Sequence, residues 1–231
     1  MTFLLVHGAW GGSWMWSRVA PLLRQAGHEV HTPSLTGIGE RSHLASPAVS
    51  VSTHVTDVLQ CLRYERLSDI VLVGHSYGGM VVTGVAEQAP ERVAALVYLD
   101  AFVPADGEAL LDLLPGAVRS AFPADGWQVP PLAPERQGLR DADEIAWLDG
   151  RRDPHPRGCF TEPLALEGRY GGRRAYIFCN GYSPTSFTPF AERARNDRAW
   201  RYHELPTHHY PHVSMPRETA ELLAAIAKEH R

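Results

Sequence analysis

The stretch Ile70-Val71-Leu72-Val73-Gly74-His75-Ser76-Tyr77-Gly78-Gly79-Met80-Val81-Val82 decides how this chain is read. Its first four residues are all aliphatic, which predicts a buried strand over 70–73. From Tyr77 the apolar spacing turns helical and runs to Gln88, where Pro90 closes it. Between the two lies the pattern G-x-S-x-G, a sharp turn that lifts the Ser76 hydroxyl clear of the backbone. Glycines on either side let strand and helix approach closely. The helix N-terminus then faces the place where negative charge develops in acyl transfer. Ser76 is therefore the candidate nucleophile.

The same strand-then-helix alternation extends in both directions. Upstream, residues 2–6 form an apolar run ended by Gly8. A helix follows over 17–25, with Ser17 as its expected cap and Gly27 as its stop. Next come a short strand over 29–32 and a helix over 51–64 whose Val51, Val55, Val58, Leu59 and Leu62 share one face. Downstream, Val93-Ala94-Ala95-Leu96-Val97-Tyr98-Leu99 is the nearly unbroken apolar run of a strand covered on both faces. After a break the alternation resumes with strands over 174–179 and 199–205, a helix over 189–195, and a terminal helix over 216–229 that has Pro216 in its first turn. Alternation of this kind predicts an α/β fold with a mainly parallel sheet flanked by helices. The break, about 104–172, is dense in Pro and Gly with only short helical patches at 109–114 and 143–147. It reads as a small lid insertion within one domain spanning 1–231.

Composition narrows the function. Of 231 residues 44% are apolar and 21% charged, ordinary globular usage for a chain able to bury its own core. A net charge of -4 and no basic stripe argue against nucleic acid. The apolar run at 3–6 is too short and too poor in basic residues for a signal peptide, and nothing approaches a membrane span. Cys61, Cys159 and Cys179 are odd in number and lack metal-ligand spacing. The expectation is a cytoplasmic protein without a membrane partner; oligomeric state is not readable.

A serine nucleophile needs a base, an acid and an oxyanion site. On a turn of this kind the chain order is Ser, acid, His. The stretch Leu205-Pro206-Thr207-His208-His209-Tyr210-Pro211-His212 follows the last predicted strand, and its register favours His209 as the base, with His208 next. A zinc cluster of these histidines is the competing reading, but no Cys or carboxylate accompanies them at ligand spacing. For the acid, Asp100 stands at the carboxyl end of the 93–99 strand, with Asp106 as the weaker choice. The loop after the following strand, Cys179-Asn180-Gly181-Tyr182-Ser183, contains no carboxylate. The glycine-rich turn beginning His7-Gly8-Ala9-Trp10 offers the Ala9 N–H as one oxyanion donor, and the Tyr77 N–H supplies the other. Elsewhere His31, His43, His54 and His75 read as structural or solvent-facing and Asp57 as a helix-surface charge. Trp10, Trp14, Trp16 and Trp127 are candidates for an aromatic pocket or for core packing.

Three motifs, Leu5-Val6-His7-Gly8-Ala9-Trp10, Gly74-His75-Ser76-Tyr77-Gly78-Gly79 and the His209 loop leading into Pro216-Arg217-Glu218, resemble the α/β-hydrolase superfamily. Within it they are similar to the compact branch of plant methyl-ester esterases and hydroxynitrile lyases. The resemblance implies a cofactor-free and metal-free serine hydrolase acting on a small, fairly apolar ester or lactone through an acyl-enzyme. Two features depart from the branch: His208-His209-Tyr210 replaces the usual Gly-His-Asp, and the acid has moved to Asp100. A lyase of this family would use a pocket lysine, whereas this chain has only Lys228. A binding protein or non-hydrolytic catalyst on the same scaffold is the remaining alternative.

Overall fold

Strand β3, Ile70–His75, is buried at every residue and lies at the centre of the molecule, hydrogen-bonded on one side to β1, Thr2–Val6, and on the other to β4, Val93–Leu99. The computed structural model describes residues 1–120, 122–123 and 125–229. Three further strands, β2 (Glu29–His31), β7 (Arg173–Cys179) and β8 (Trp200–Leu205), complete a sheet of order β2-β1-β3-β4-β7-β8 in which every pairing is parallel. A parallel sheet needs crossovers that cover its faces, and the helices supply them. One face carries α2 (Val51–Tyr64), α3 (Gly78–Gln88) and α8 (Thr188–Asn196). The other carries α1 (Ala20–Gln25) and α10 (Pro216–Lys228), which pack on Phe3, Leu5, Val71, Val73, Val97 and Ile177. The alternating side chains of each strand thus feed two separate hydrophobic layers.

Local sequence explains most boundaries. Helix α2 begins at a capping box in which the Ser50 side chain takes the Thr53 N–H while Thr53 Oγ1 accepts from the Ser50 N–H. The helix expected over 17–25 is shorter than its periodicity suggests. A 3-10 turn occupies Ser13–Trp16, α1 starts only at Ala20, and Val19 rather than Ser17 stands at its cap without a side-chain hydrogen bond. Trp16 and Val19 are buried in the layer beneath the sheet, and that packing sets the start in place of a polar cap.

Between β4 and β7 the chain leaves the sheet. Among the described residues it forms four short α-helices, α4 (Leu110–Leu113), α5 (Gly116–Arg119), α6 (Ala142–Leu148) and α7 (Gly158–Thr161), a 3-10 turn at Pro134–Gln137, and a two-stranded ribbon of β5 (Gln128–Val129) with β6 (His155–Pro156). Residues 121 and 124 of this stretch lie outside the described residues. A last turn, α9 (Pro211–Ser214), leads into α10. The inserted segment covers the carboxyl ends of β3 and β4, the edge at which parallel sheets expose chemistry.

Candidate active site

The β3–α3 turn is built by steric necessity. Ser76 has a φ of 54°, a left-handed conformation that a residue other than glycine adopts only when its surroundings hold it there. Those surroundings are visible: the Ser76 N–H donates to the Leu99 carbonyl, and the Ser76 carbonyl accepts from the N–H groups of Gly79 and Phe102. Strand and helix meet so closely that a Cβ on Gly74 would lie 2.6 Å from the Gly78 carbonyl oxygen, and one on Gly78 would lie 2.8 Å from that of Val6. The turn thus requires glycine at both fixed positions of the motif.

Asp100 ends β4 in the same unusual conformation, with φ 43°. Its N–H is drawn onto the Ile177 carbonyl at 2.7 Å, and its side chain is fully buried behind the sheet edge. From there Asp100 Oδ2 accepts from His209 Nδ1 at 2.7 Å, and His209 Nε2 accepts from the Ser76 hydroxyl at 2.8 Å. Ser76, His209 and Asp100 are therefore brought into one hydrogen-bonded chain. His208 is not part of it: its Nδ1 accepts from the Tyr210 N–H, so Nε2 bears the proton and donates to Glu144 of α6 at 2.7 Å. Asp106 is occupied elsewhere, accepting from the Leu166 N–H.

Several supports of this chain have no local signature in the sequence. Tyr182, in the carboxylate-free loop after β7, donates its hydroxyl to Asp100 Oδ2 at 2.9 Å, while the Cys179 N–H donates to Oδ1 at 3.1 Å. That loop supplies donors to an acid held on the neighbouring strand. His75 Nε2 donates to the His209 carbonyl at 2.7 Å, and the His209 N–H donates to the carbonyl of Gln137 in the inserted segment. The Phe187 ring stacks on the His209 imidazole at 4.7 Å and 9°. These contacts link residues distant in the chain, so no spacing rule could have flagged them.

Burial dominates the electrostatics. It pushes His209 down to about 3, so the imidazole is neutral and its Nε2 lone pair is free to take the serine proton. Burial drives Asp100 up, to about 7, against the Cys179 N–H and Tyr182 O–H, whose hydrogen bonds favour the carboxylate. With every surrounding group presenting a donor, Asp100 is equipped to hold negative charge and to steady an imidazolium at His209.

Beside Ser76 lies a cavity of about 240 Å³ lined by Ala9, Trp10, Tyr77, Phe102, Phe160 and Phe187, with Leu110, Leu114 and Leu132 from the inserted segment. Trp10 is thus a wall of the cavity. Trp14 packs on Trp147, Trp16 is buried beneath the sheet, and Trp127 is exposed. At the cavity floor neither the Ala9 N–H nor the Tyr77 N–H has a partner among the described residues, whereas the Trp10 N–H is committed to His155 Nδ1 at 3.1 Å. Trp10 itself has φ 60°, a further left-handed position in this turn.

His54 and His75 are fully buried and hydrogen-bonded, while His31 is half-buried and His43 exposed, in keeping with structural or solvent-facing roles. One expectation needs correction. Asp57 is no mere surface charge: its carboxylate accepts from both the N–H and the hydroxyl of Thr36, which pins the loop after β2 to α2. The histidines at 208, 209 and 212 do not converge on a common point. Among the described residues the group that could hold a metal is instead His54, His155 and Cys159. Its hydrogen bonds argue against coordination. His155 Nδ1 accepts from the Trp10 N–H and so Nε2 bears a proton, while His54 Nε2 donates to the Thr36 carbonyl and Nδ1 accepts from the Tyr77 hydroxyl. Lys228 is exposed near the end of α10, away from the cavity.

Residues 3–222 match the model of the alpha/beta hydrolase family, and the chain belongs to that family. It is 41% identical over 241 residues, covering 97% of this chain and 98% of the relative, to the carbendazim hydrolyzing esterase of Nocardioides sp. (strain SG-4G). It is 26% identical over 252 residues, 97% of this chain and 95% of the relative, to polyneuridine aldehyde esterase of Rauvolfia serpentina. An extracellular α/β-hydrolase from a Paenibacillus species superposes with a TM-score of 0.85 at 24% identity, covering 98% of both chains. The chain is an enzyme, a hydrolase of the esterase kind. No helix among the described residues is long and apolar enough to cross a membrane.

Proposed function

We propose that this enzyme hydrolyses small, fairly apolar carboxylic esters or lactones through an acyl-enzyme on Ser76. The observation that carries the reading is the unbroken chain from Asp100 through His209 to the Ser76 hydroxyl, opening on an apolar cavity. Ser76 Oγ attacks the carbonyl carbon as its proton passes to His209 Nε2. The Ala9 and Tyr77 N–H groups hold the oxygen that becomes negative. His209 then gives the proton to the departing alkoxide, and water repeats the sequence in reverse to free the acid. The similar Nocardioides esterase, named for hydrolysing carbendazim, supports the ester-hydrolase reading. We further propose that residues 104–172 act as a lid on a single domain, and that the protein works in the cytoplasm with no cofactor.

The test is hydrolysis of p-nitrophenyl acetate and butyrate by wild type and Ser76→Ala, together with labelling by a fluorophosphonate probe. Turnover should fall by about a thousandfold or more in the variant, and labelling should vanish. A Ser76→Ala enzyme as fast as wild type would overturn the assignment.

A further inference from the structure

Away from Ser76 and His209 the cavity lining is mostly apolar, and its polar members include Arg136, Gln137, Tyr182, Thr185 and Ser186. Tyr182 donates to Asp100, and Thr185 Oγ1 donates to the Tyr182 hydroxyl while accepting from the Phe187 N–H. Gln137 differs. Its backbone carbonyl holds the His209 N–H, it belongs to the cavity lining, and its Oε1 accepts from the Tyr210 hydroxyl at 2.6 Å. That last bond runs from the Tyr210 hydroxyl to the amide oxygen, which can only accept. The tyrosine therefore spends its proton on Gln137 Oε1. The amide is locked in one orientation, and its NH2 group has no partner among the described residues.

We infer that Gln137 is a specificity-determining residue: its side-chain NH2 group selects substrates carrying a hydrogen-bond acceptor, such as a ring nitrogen, on the group held under the inserted segment. The inference rests on the ester-hydrolase reading above and narrows its substrate class to heteroaromatic or otherwise acceptor-bearing esters. The physical reason is that a donor at the wall of an apolar cavity loses water when substrate enters, so a purely hydrocarbon group leaves it unpaired while an acceptor satisfies it.

The test compares methyl benzoate with the methyl esters of pyridine-2-, pyridine-3- and pyridine-4-carboxylic acid, which place one nitrogen at each ring position. Gln137→Glu keeps an oxygen for Tyr210 but replaces the NH2 donor by a second acceptor, and Gln137→Leu removes both. Dissociation constants are measured by ligand-observed NMR in a Ser76→Ala background, so the comparison does not depend on turnover. At least one pyridine ester should bind more tightly than methyl benzoate, and that preference should shrink about three- to tenfold in Gln137→Glu and Gln137→Leu. In enzyme with Ser76 intact the ratio of kcat/KM for the same pair should shrink alike. If no isomer is preferred, or if the preference survives both substitutions, the inference is wrong. Failure of the hydrolase reading looks different: wild type would then turn over none of these esters, whatever the binding ratios.

Discussion

Tyr182 and His209 donate to the same oxygen of Asp100, at 2.9 and 2.7 Å, although the tyrosine comes from the loop after β7 and the acid from the end of β4. The carboxylate and its extra donor are thus divided between adjacent strands. Tyr182→Phe removes a hydrogen bond to a charged group, worth about 1.5–3 kcal/mol. We expect kcat to fall by about tenfold or more with KM little changed, and the acidic limb of the pH–rate profile to move to higher pH because Asp100 becomes harder to ionise. Steady-state kinetics across pH would check this; an unmoved acidic limb would show that Tyr182 does not support the acid.

The two adjacent histidines should separate cleanly. His209 Nε2 reaches Ser76, whereas His208 is tied to Glu144 and the Tyr210 N–H. We expect His209→Gln to lose about a thousandfold or more in kcat and His208→Gln about tenfold or less. The same ester assay decides, and equal losses would contradict the assignment.

Among the described residues six histidines are buried: His7, His54, His75, His155, His209 and His212. Burial holds His7 at about 4, His54, His75 and His209 at about 3, and His155 and His212 well below the ordinary value of 6.5. Below pH 6.5 the unfolded chain binds protons at these sites and the folded chain does not, so stability falls as pH drops toward 4. Each group contributes about 1.4 kcal/mol per pH unit at full slope, and the six together about 8. Asp100 opposes them by one proton, since burial raises it to about 7 and the folded state protonates first. The net slope, about 7 kcal/mol per pH unit, is comparable with the whole stability of a typical domain. Unfolding should set in at about pH 4 to 6, followed by circular dichroism. Native structure persisting at about pH 3 would refute the neutral-histidine core.

Gly74→Ala would place a methyl group 2.6 Å from both the Gly78 carbonyl oxygen and Val82 Cγ2, in a strand and helix with no room to part. The expected cost is about 3 kcal/mol or more, with activity lost from the soluble fraction. Urea denaturation of the variant beside wild type measures it, and a change of less than about 1 kcal/mol would mean the turn relaxes.

Aspartate at the acid position need not be matched by asparagine. Asp100→Asn presents an NH2 group where His209 Nδ1, Tyr182 and the Cys179 N–H all donate, which favours the wrong imidazole tautomer. A loss of about ten-thousandfold in kcat is expected from the corresponding change in serine proteases. Retained activity would move the acid role away from Asp100.

Much of this protein was legible in the order of its residues. Runs such as Val93–Leu99 and the two-layer spacing of α2 specify a parallel sheet with covered faces, because an all-apolar strand and a one-faced helix each have few places to go. The Gly74 to Gly78 turn is equally local: its shape depends on which residues lack a Cβ within five positions of one another. By contrast Ser17 as a cap failed, since burial of Trp16 and Val19 outweighs a single side-chain hydrogen bond. Tyr182, Gln137, Phe187 and His75 were invisible as supports of the site. Their roles follow from which loops the sheet order β3-β4-β7-β8 brings together at one edge, and a residue's chain position carries no record of a partner eighty places away. The sequence by itself thus determined the layers and placed a serine on its turn; the tertiary structure decided what surrounds the acid, which histidine faces the serine, and which side chains line the cavity.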